Sequence, residues 1–105
     1  MTTVNEKSTA WLTVTCKDKT GALAAPSTLQ YQIDCLTSGA NIVALTSVPT
    51  PAAAQEIEIT SVQNAIQVPA NQQEYRRVTV IAGYGGPDQI TSYFDYSVVN
   101  LQFIQ

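Results

Sequence analysis

Two glutamates spaced two residues apart, Glu56 and Glu58, are the side chains best placed for acid–base chemistry. Residues i and i+2 of a β-strand lie on one face, about 7 Å apart, which is within the range of the paired carboxylates of glycoside hydrolases. They alternate with Ile57 and Ile59, so the pattern predicts a strand with buried isoleucines and glutamates in water. The sequence therefore favours a solvated strand face over a catalytic pair.

The chain contains no histidine. Ser–His and Cys–His catalysis and most zinc sites therefore have no candidate residues. Asp88 follows the glycine-rich loop 83–87, but a calcium ion needs six or more oxygen ligands and this loop has too few acidic residues. The loop also lacks the lysine and the following helix of a phosphate-binding loop. We predict a protein that is not an enzyme and has no metal and no cofactor.

The two cysteines, Cys16 and Cys35, each close a predicted strand. In an up-and-down connection the first strand ends near the start of the second, so roughly 20 Å of strand separates the sulfurs at ~3.3 Å per residue. A disulfide requires Cα atoms within about 7 Å of each other. We expect two free, buried thiols, with no histidine or nearby cation to lower a thiol pKa.

Alternation of apolar and polar residues predicts the elements that position these side chains. It is clearest over 10–17 and 29–35, and a period of two predicts strands with one buried face, as in an antiparallel sandwich. Turn signals separate six predicted strands, at 9–17, 28–36, 41–46, 55–60, 74–84 and 90–101. With a seventh at the N-terminus, we predict an all-β antiparallel β-sandwich of about seven strands, whose strand spacing resembles that of immunoglobulin-like domains.

The length of 105 residues is expected to give one domain, 1–105, with a single core. We expect 1–8 to be a flexible lead-in or a short edge strand, and 102–105 to be a tail.

Two further features concern the ends of the core. The region 61–73 has no clear period, and we expect a loop from which Ile66, together with Val62, enters the core. Arg76 shares the parity of Val78 on the long strand. It is therefore expected at the open end of the core, paired with a carboxylate or a carbonyl.

Composition limits the partners. Charged residues make up 12% of the chain and the net charge is −3, so the polar surface is mostly neutral. That suits a protein packed beside others or outside the cell, although β-protein composition alone also favours it. The five basic residues form no stripe that neutralises phosphates, so we expect no nucleic-acid partner. The start lacks the pattern of a signal peptide, and no apolar run reaches the ~20 residues of a membrane span; we expect neither.

Exposed apolar residues are the candidates for a binding surface. Trp11 lies on the strand face opposite the predicted core, where it is either a sugar platform or interface anchor, or is covered by the N-terminal segment. The apolar C-terminus either pairs back onto the sheet or adds a strand to a neighbour. Three candidates are expected to share the outer face of the last strand, and two extend the terminus. With Trp11, the candidate interface is Trp11, Tyr93, Val99, Leu101, Phe103 and Ile104.

Several motifs carry a family resemblance. The alternating V-x-A at 80–82, followed by a glycine-rich turn, resembles the last hairpin of fibronectin type III domains. Over nearly the whole chain, S-T-A-x-L-x-V-x-C-x-D-x-x-G at 8–21, P-x-x-L-x-Y-x-I-D at 26–34 and R-V-T-V-x-A-x-Y-G at 77–85 resemble small immunoglobulin-like structural proteins of tailed phages and prophages.

The resemblance implies a structural component of the virion, most specifically a capsid decoration or cement protein acting through protein–protein contacts. It implies other virion proteins as partners, with a homo-oligomer as a further option, and a protein assembled into particles in the host cytoplasm. Two alternatives stay open. One is a neck or tail accessory protein, and the other is a carbohydrate- or surface-binding module that uses Trp11 and Tyr93.

Overall fold

The computed structural model of the protein describes residues 2–18, 20–85 and 89–103. These residues form seven strands and a final 3₁₀ turn. The elements are β1 Thr2–Asn5, β2 Ala10–Thr15, β3 Thr28–Cys35, β4 Asn41–Ser47, β5 Ala54–Ile59, β6 Gln73–Gly83, β7 Gln89–Val99 and the turn Leu101–Phe103. The predicted all-β class is confirmed.

The strands form two sheets. One has five strands in the order β1-β7-β6-β3-β4, and the other contains β2 and β5. Every pair is antiparallel except β1–β7, which is parallel. The predicted sandwich is confirmed, and the β1–β7 pair makes the larger sheet mixed. For the first eight residues we expected either a flexible lead-in or a short edge strand. Thr2–Asn5 forms a short edge strand.

The core lies between the sheets and follows the predicted alternation. The inward residues of β6, including Val78 and Val80, lie beside those of β3 and β7 in the same sheet, and the buried isoleucines of β5 come from the other sheet. Each fully buried aliphatic side chain contributes about 1.5–3 kcal/mol. The buried apolar residues are Cys16, Leu29, Ile33, Cys35, Ile57, Ile59, Val78, Val80, Ala82, Tyr96 and Val98.

The loop between β5 and β6 was expected to send two side chains into the core. Ile66 does pack against the core. Val62 does not, because it is 80% exposed; the loop turns at this point and its side chain points into water. That part of the prediction is wrong.

A buried ion pair closes one end of the sandwich. Glu74 and Arg76 are both fully buried on the inward side of β6, and Arg76 Nη2 donates to Glu74 Oε1 at 2.8 Å. The guanidinium also donates to the carbonyls of Gln63 at 2.9 Å and Ala65 at 2.8 Å. Arg76 thus pairs with both a carboxylate and carbonyls, as its parity predicts.

Glu74 holds the other half of the same loop. Its carboxylate accepts the N–H groups of Gln67 and Val68, each at 2.9 Å, and the side-chain amide of Asn71 at 3.2 Å. Burial acts to raise the pKa of Glu74, but these bonds and the one from Arg76 outweigh it and hold the pKa below its ordinary value of 4.5. A segment without strands is therefore ordered by two charges.

Arg76→Met tests how far the fold depends on this pair. Removing the guanidinium leaves Glu74 charged and buried without its cation, which costs about 3–5 kcal/mol of unfolding free energy. Arg77→Met is the matched control, because the neighbouring arginine is partly exposed and its ion pair with Asp95 lies at the surface, where such a pair contributes little. Urea unfolding measures both. Equal losses in the two variants contradict the assigned role.

Acid unfolding tests the carboxylate. Because the folded pKa of Glu74 is depressed, its contribution is fully present above the unfolded pKa of about 4.5 and is lost as the pH falls through the folded value. We expect the urea midpoint of the wild type to fall more steeply below this pH than that of Glu74→Gln. Asp18 and Asp95, whose pKa values are also lowered, remain in both proteins. Parallel pH profiles therefore contradict the prediction.

Candidate interaction surfaces

The two glutamates of β5 lie on a solvated strand face, as the alternation predicts. Glu56 and Glu58 are exposed on β5, while Ile57 and Ile59 are buried. Across the sheet the glutamates lie opposite Thr13 and Trp11 of β2. The residues that the structure describes include no group of three or more acidic or cysteine side chains placed to hold a metal ion.

The two thiols are free and buried, as the strand geometry predicts. Burial raises the pKa of the Cys16 thiol, and a hydrogen bond with Tyr84 acts in the opposite direction without cancelling it. Cys35 Sγ accepts the Ser38 N–H at 3.4 Å. Cys35 lies across the sheet from Arg76, whose guanidinium is paired with Glu74.

Trp11 is exposed, which was one of its two predicted environments; the other was a ring covered by the N-terminal segment. Its side chain is 62% exposed and lies on the outer side of β2, whose inward residues include Leu12. The N-terminal strand lies beside it and does not cover it. Val4, Trp11 and Phe94 contribute to a cleft of about 130 Å³ between the edges of the two sheets.

Tyr93 is part of an ordered cluster that the sequence pattern does not predict. The ring is 64% exposed on the outer face of β7, and the Arg77 guanidinium carbon lies 4.4 Å from its centroid. Arg77 Nε and Nη2 donate to the two carboxylate oxygens of Asp95 at 2.8 and 2.9 Å. This bidentate geometry fixes the guanidinium over the ring.

The register of the sheet explains the cluster. Arg77 lies directly opposite Asp95, and Tyr93 is one diagonal position away, opposite Thr79, so the three side chains meet on one face. The hydrogen bond from Arg77 is the main cause that lowers the pKa of Asp95, so the pair stays ionised and neutral as a whole. In the sequence, Arg77 and Asp95 are equally far from position 86, so a predicted hairpin register centred there would have placed the arginine opposite the aspartate.

The face around Tyr93 is polar and mostly uncharged. Gln32 and Thr79 lie in the same row across β3 and β6, and Gln30, Ile81 and Thr91 lie in a neighbouring row. We call the outer side of β3, β6 and β7 around Tyr93 the Tyr93 face. It offers a partner one exposed aromatic ring in a mostly uncharged setting, with one further acidic residue, Asp34, opposite Arg77 on β3.

Trp11 and Tyr93 do not form one site. Trp11 is on the two-stranded sheet and Tyr93 is on the five-stranded sheet, and both point away from the core between them. A single sugar therefore cannot stack on both rings at once.

The candidate interface residues near the C-terminus also lie in different places and do not form one surface. Val99 is half-buried and pairs with Asn5 and Gln73 inside the sheet. Leu101 was expected on the outer face of the last strand, but it lies in the 3₁₀ turn beyond β7, where its N–H donates to Glu6 Oε1 at 3.0 Å. Phe103 closes that turn and its side chain is outside the described part, as is Ile104.

The strand stops at Val99 because Asn100 binds the loop before β6. The Asn100 side-chain amide donates to the carbonyls of Pro69 and Asn71, each at 3.0 Å. The apolar terminus therefore turns onto its own domain up to Leu101, although Leu101 itself stays 44% exposed.

The chain matches no protein-family model, no curated protein and no solved structure. Among the described residues no helix is long and apolar enough to cross a membrane.

Alkylation tests the free thiols. Because Cys16 and Cys35 are buried and the pKa of Cys16 is raised, we expect iodoacetamide at mildly alkaline pH to leave the folded protein unmodified. In urea without a reductant both cysteines should take the label, which serves as the control. Mass spectrometry of the intact chain measures both. Rapid labelling of the folded protein, or an unreactive pair in urea, contradicts the assignment.

Proposed function

We propose that the protein is a non-enzymatic structural component of a tailed-phage particle, a capsid decoration protein that contacts neighbouring virion proteins through the Tyr93 face. The observation that carries the proposal is the ordered Tyr93–Arg77–Asp95 cluster on a mostly uncharged sheet surface. The three family-like motifs at 8–21, 26–34 and 77–85 supply the virion setting.

The strand order supports the immunoglobulin-like part of the proposal. In variable-type immunoglobulin domains, strands G, F, C and C′ are neighbours in one sheet, and B pairs with E in the other. Here β7-β6-β3-β4 and β2-β5 have the same order when counted along the chain. Such sandwiches serve many binding roles, so the fold is compatible with a virion protein without specifying one.

The chemistry of the Tyr93 face favours a protein partner. Tyrosine and arginine are enriched at the energetic centres of protein interfaces, and a ring already held by Arg77 loses little freedom on binding. Because Asp95 neutralises the arginine, the cluster presents no unpaired charge that a partner must match. A shell or tail surface without a matching charge can therefore pack against the cluster.

A carbohydrate-binding function is the second candidate, now limited to Trp11. The favourable observation is the 62% exposure of its ring beside an open cleft, since exposed aromatic rings stack on sugars. A glycan array with wild type and Trp11→Ala separates the two candidates. Glycan binding that disappears in the variant supports this function.

Co-sedimentation tests the leading proposal. Purified protein is mixed with assembled shell, neck or tail protein of the phage concerned, and the bound fraction is measured over a range of concentrations. We expect wild type to bind the shell and Tyr93→Ala to bind about tenfold more weakly. Val62→Ala removes an exposed apolar side chain from the loop between β5 and β6, outside the Tyr93 face, and should bind like wild type.

The partner that retains the protein identifies its place in the particle. Binding to neck or tail protein instead of shell selects the accessory alternative. A wild-type protein that stays in the supernatant with all three overturns the proposal, and unchanged binding by Tyr93→Ala removes the Tyr93 face from it.

A further inference from the structure

Strand β2 is paired on one side only within the residues that the structure describes. Its sheet consists of β2 and β5, so the opposite side of β2 is a free edge. The backbone groups along that edge have no neighbouring strand in the described chain. The hydrogen bonds at the end of β2 show which residues direct their backbone N–H and C=O groups to this edge.

The N–H of Cys16 donates to the carbonyl of Ala53 at 2.7 Å, on the β5 side. This pair continues the register in which Thr15 lies opposite Ala54. Because backbone groups alternate between the two sides of a strand, the groups of the even-numbered residues bond to β5. Those of Trp11, Thr13 and Thr15 point to the free edge.

The other free edges carry features that hinder pairing, and the β2 edge does not. Charges, short length and irregular pairing protect edges from association. Of the other edge strands, β5 has two exposed glutamates, β1 has four residues, and β4 shows two register shifts against β3. β2 is Ala-Trp-Leu-Thr-Val-Thr, without a charge or a proline, and rich in residues that favour strands.

We propose that this edge pairs with the same edge of a second copy of the chain, antiparallel across a two-fold axis at Thr13. In this register Thr13 faces Thr13 of the second copy, and each Trp11 faces Thr15. All three are residues whose N–H and C=O point outward, so each pair exchanges both of its hydrogen bonds. The two small sheets become one sheet in the order β5-β2-β2-β5.

Self-complementarity is what selects a second copy as the occupant. On the inner side of the same register, Leu12 faces Val14 of the second copy, which continues the apolar side of both sheets. Moving the axis to Trp11 or Thr15 reduces the overlap of the two strands. No like charges meet along β2, whereas a pair made by two β5 edges would bring Glu56 and Glu58 of both copies together.

This dimer goes beyond the proposed function and does not depend on it. Its interface is on the two-stranded sheet, and the Tyr93 face is on the five-stranded sheet. Each dimer therefore leaves two copies of the Tyr93 face free. A failure of shell binding leaves the dimer intact, and a failure of the dimer leaves shell binding to be measured separately.

Sedimentation velocity of the full chain from about 1 µM to about 1 mM tests the proposal. We expect a concentration-dependent dimer. Thr13→Pro removes an N–H that faces outward, a change that an edge strand accepts, and should raise the dimer Kd about tenfold or more. Thr13→Val keeps the N–H and should dimerise like wild type. Circular dichroism melting checks that both variants are folded.

A charge swap at Thr13 tests the register without proline. Two lysines or two glutamates facing each other across the axis weaken the pairing, so Thr13→Lys and Thr13→Glu alone should each be more monomeric than wild type. An equimolar mixture should recover a dimer that native mass spectrometry identifies as mostly heterodimer. A wild-type monomer at all concentrations, a Thr13→Pro protein that dimerises normally, or a statistical mixture of the charged variants each overturns the proposal.

Discussion

The buried ion pair between Glu74 and Arg76 is the interaction on which one end of the sandwich depends. Two charges withdrawn from water are costly unless most of their hydrogen-bonding groups are satisfied, and here Arg76 Nε is the one buried side-chain atom of the pair without a partner among the described residues. Here the partners come from the segment 61–72, whose carbonyls and N–H groups bind the pair. A stretch without regular structure is thereby held in one conformation, and Tyr96 adds a bond to buried Asn64 of the same segment at 2.8 Å.

An arginine has a different role at each of two adjacent positions of β6, because neighbouring residues of a strand point to opposite faces. Arg76 points inward and orders a loop, whereas Arg77 points outward and orders a surface ring. Both arginines are paired with a carboxylate, so the protein exposes little unpaired charge on these strands. The result is a domain whose surfaces differ in shape, aromatic content and free backbone groups more than in charge.

The strands could be predicted from sequence because a half-buried sheet imposes a period of two on the side chains. The inward position of Arg76 followed from the same parity. The partners could not be predicted in this way: the parallel β1–β7 pair and the contact between Arg77 and Tyr93 depend on residues that are distant in the chain. Val62 was misplaced because a loop has no period, and Leu101 because the side chain of Asn100, not the apolar pattern, ends β7.

The parallel pairing of β1 with β7 also determines how the domain carries tension. Thr2 lies beside Tyr96 and Asn5 beside Val99, so a pull that enters before Thr2 and leaves after Leu101 moves the two strands in opposite directions along their length. Their hydrogen bonds are then loaded together in shear and not opened one after another. The bonds from Glu6 N–H to the Val99 carbonyl and from Leu101 N–H to Glu6 extend the same clamp, so the sandwich resists stretching at the strand where the force first arrives.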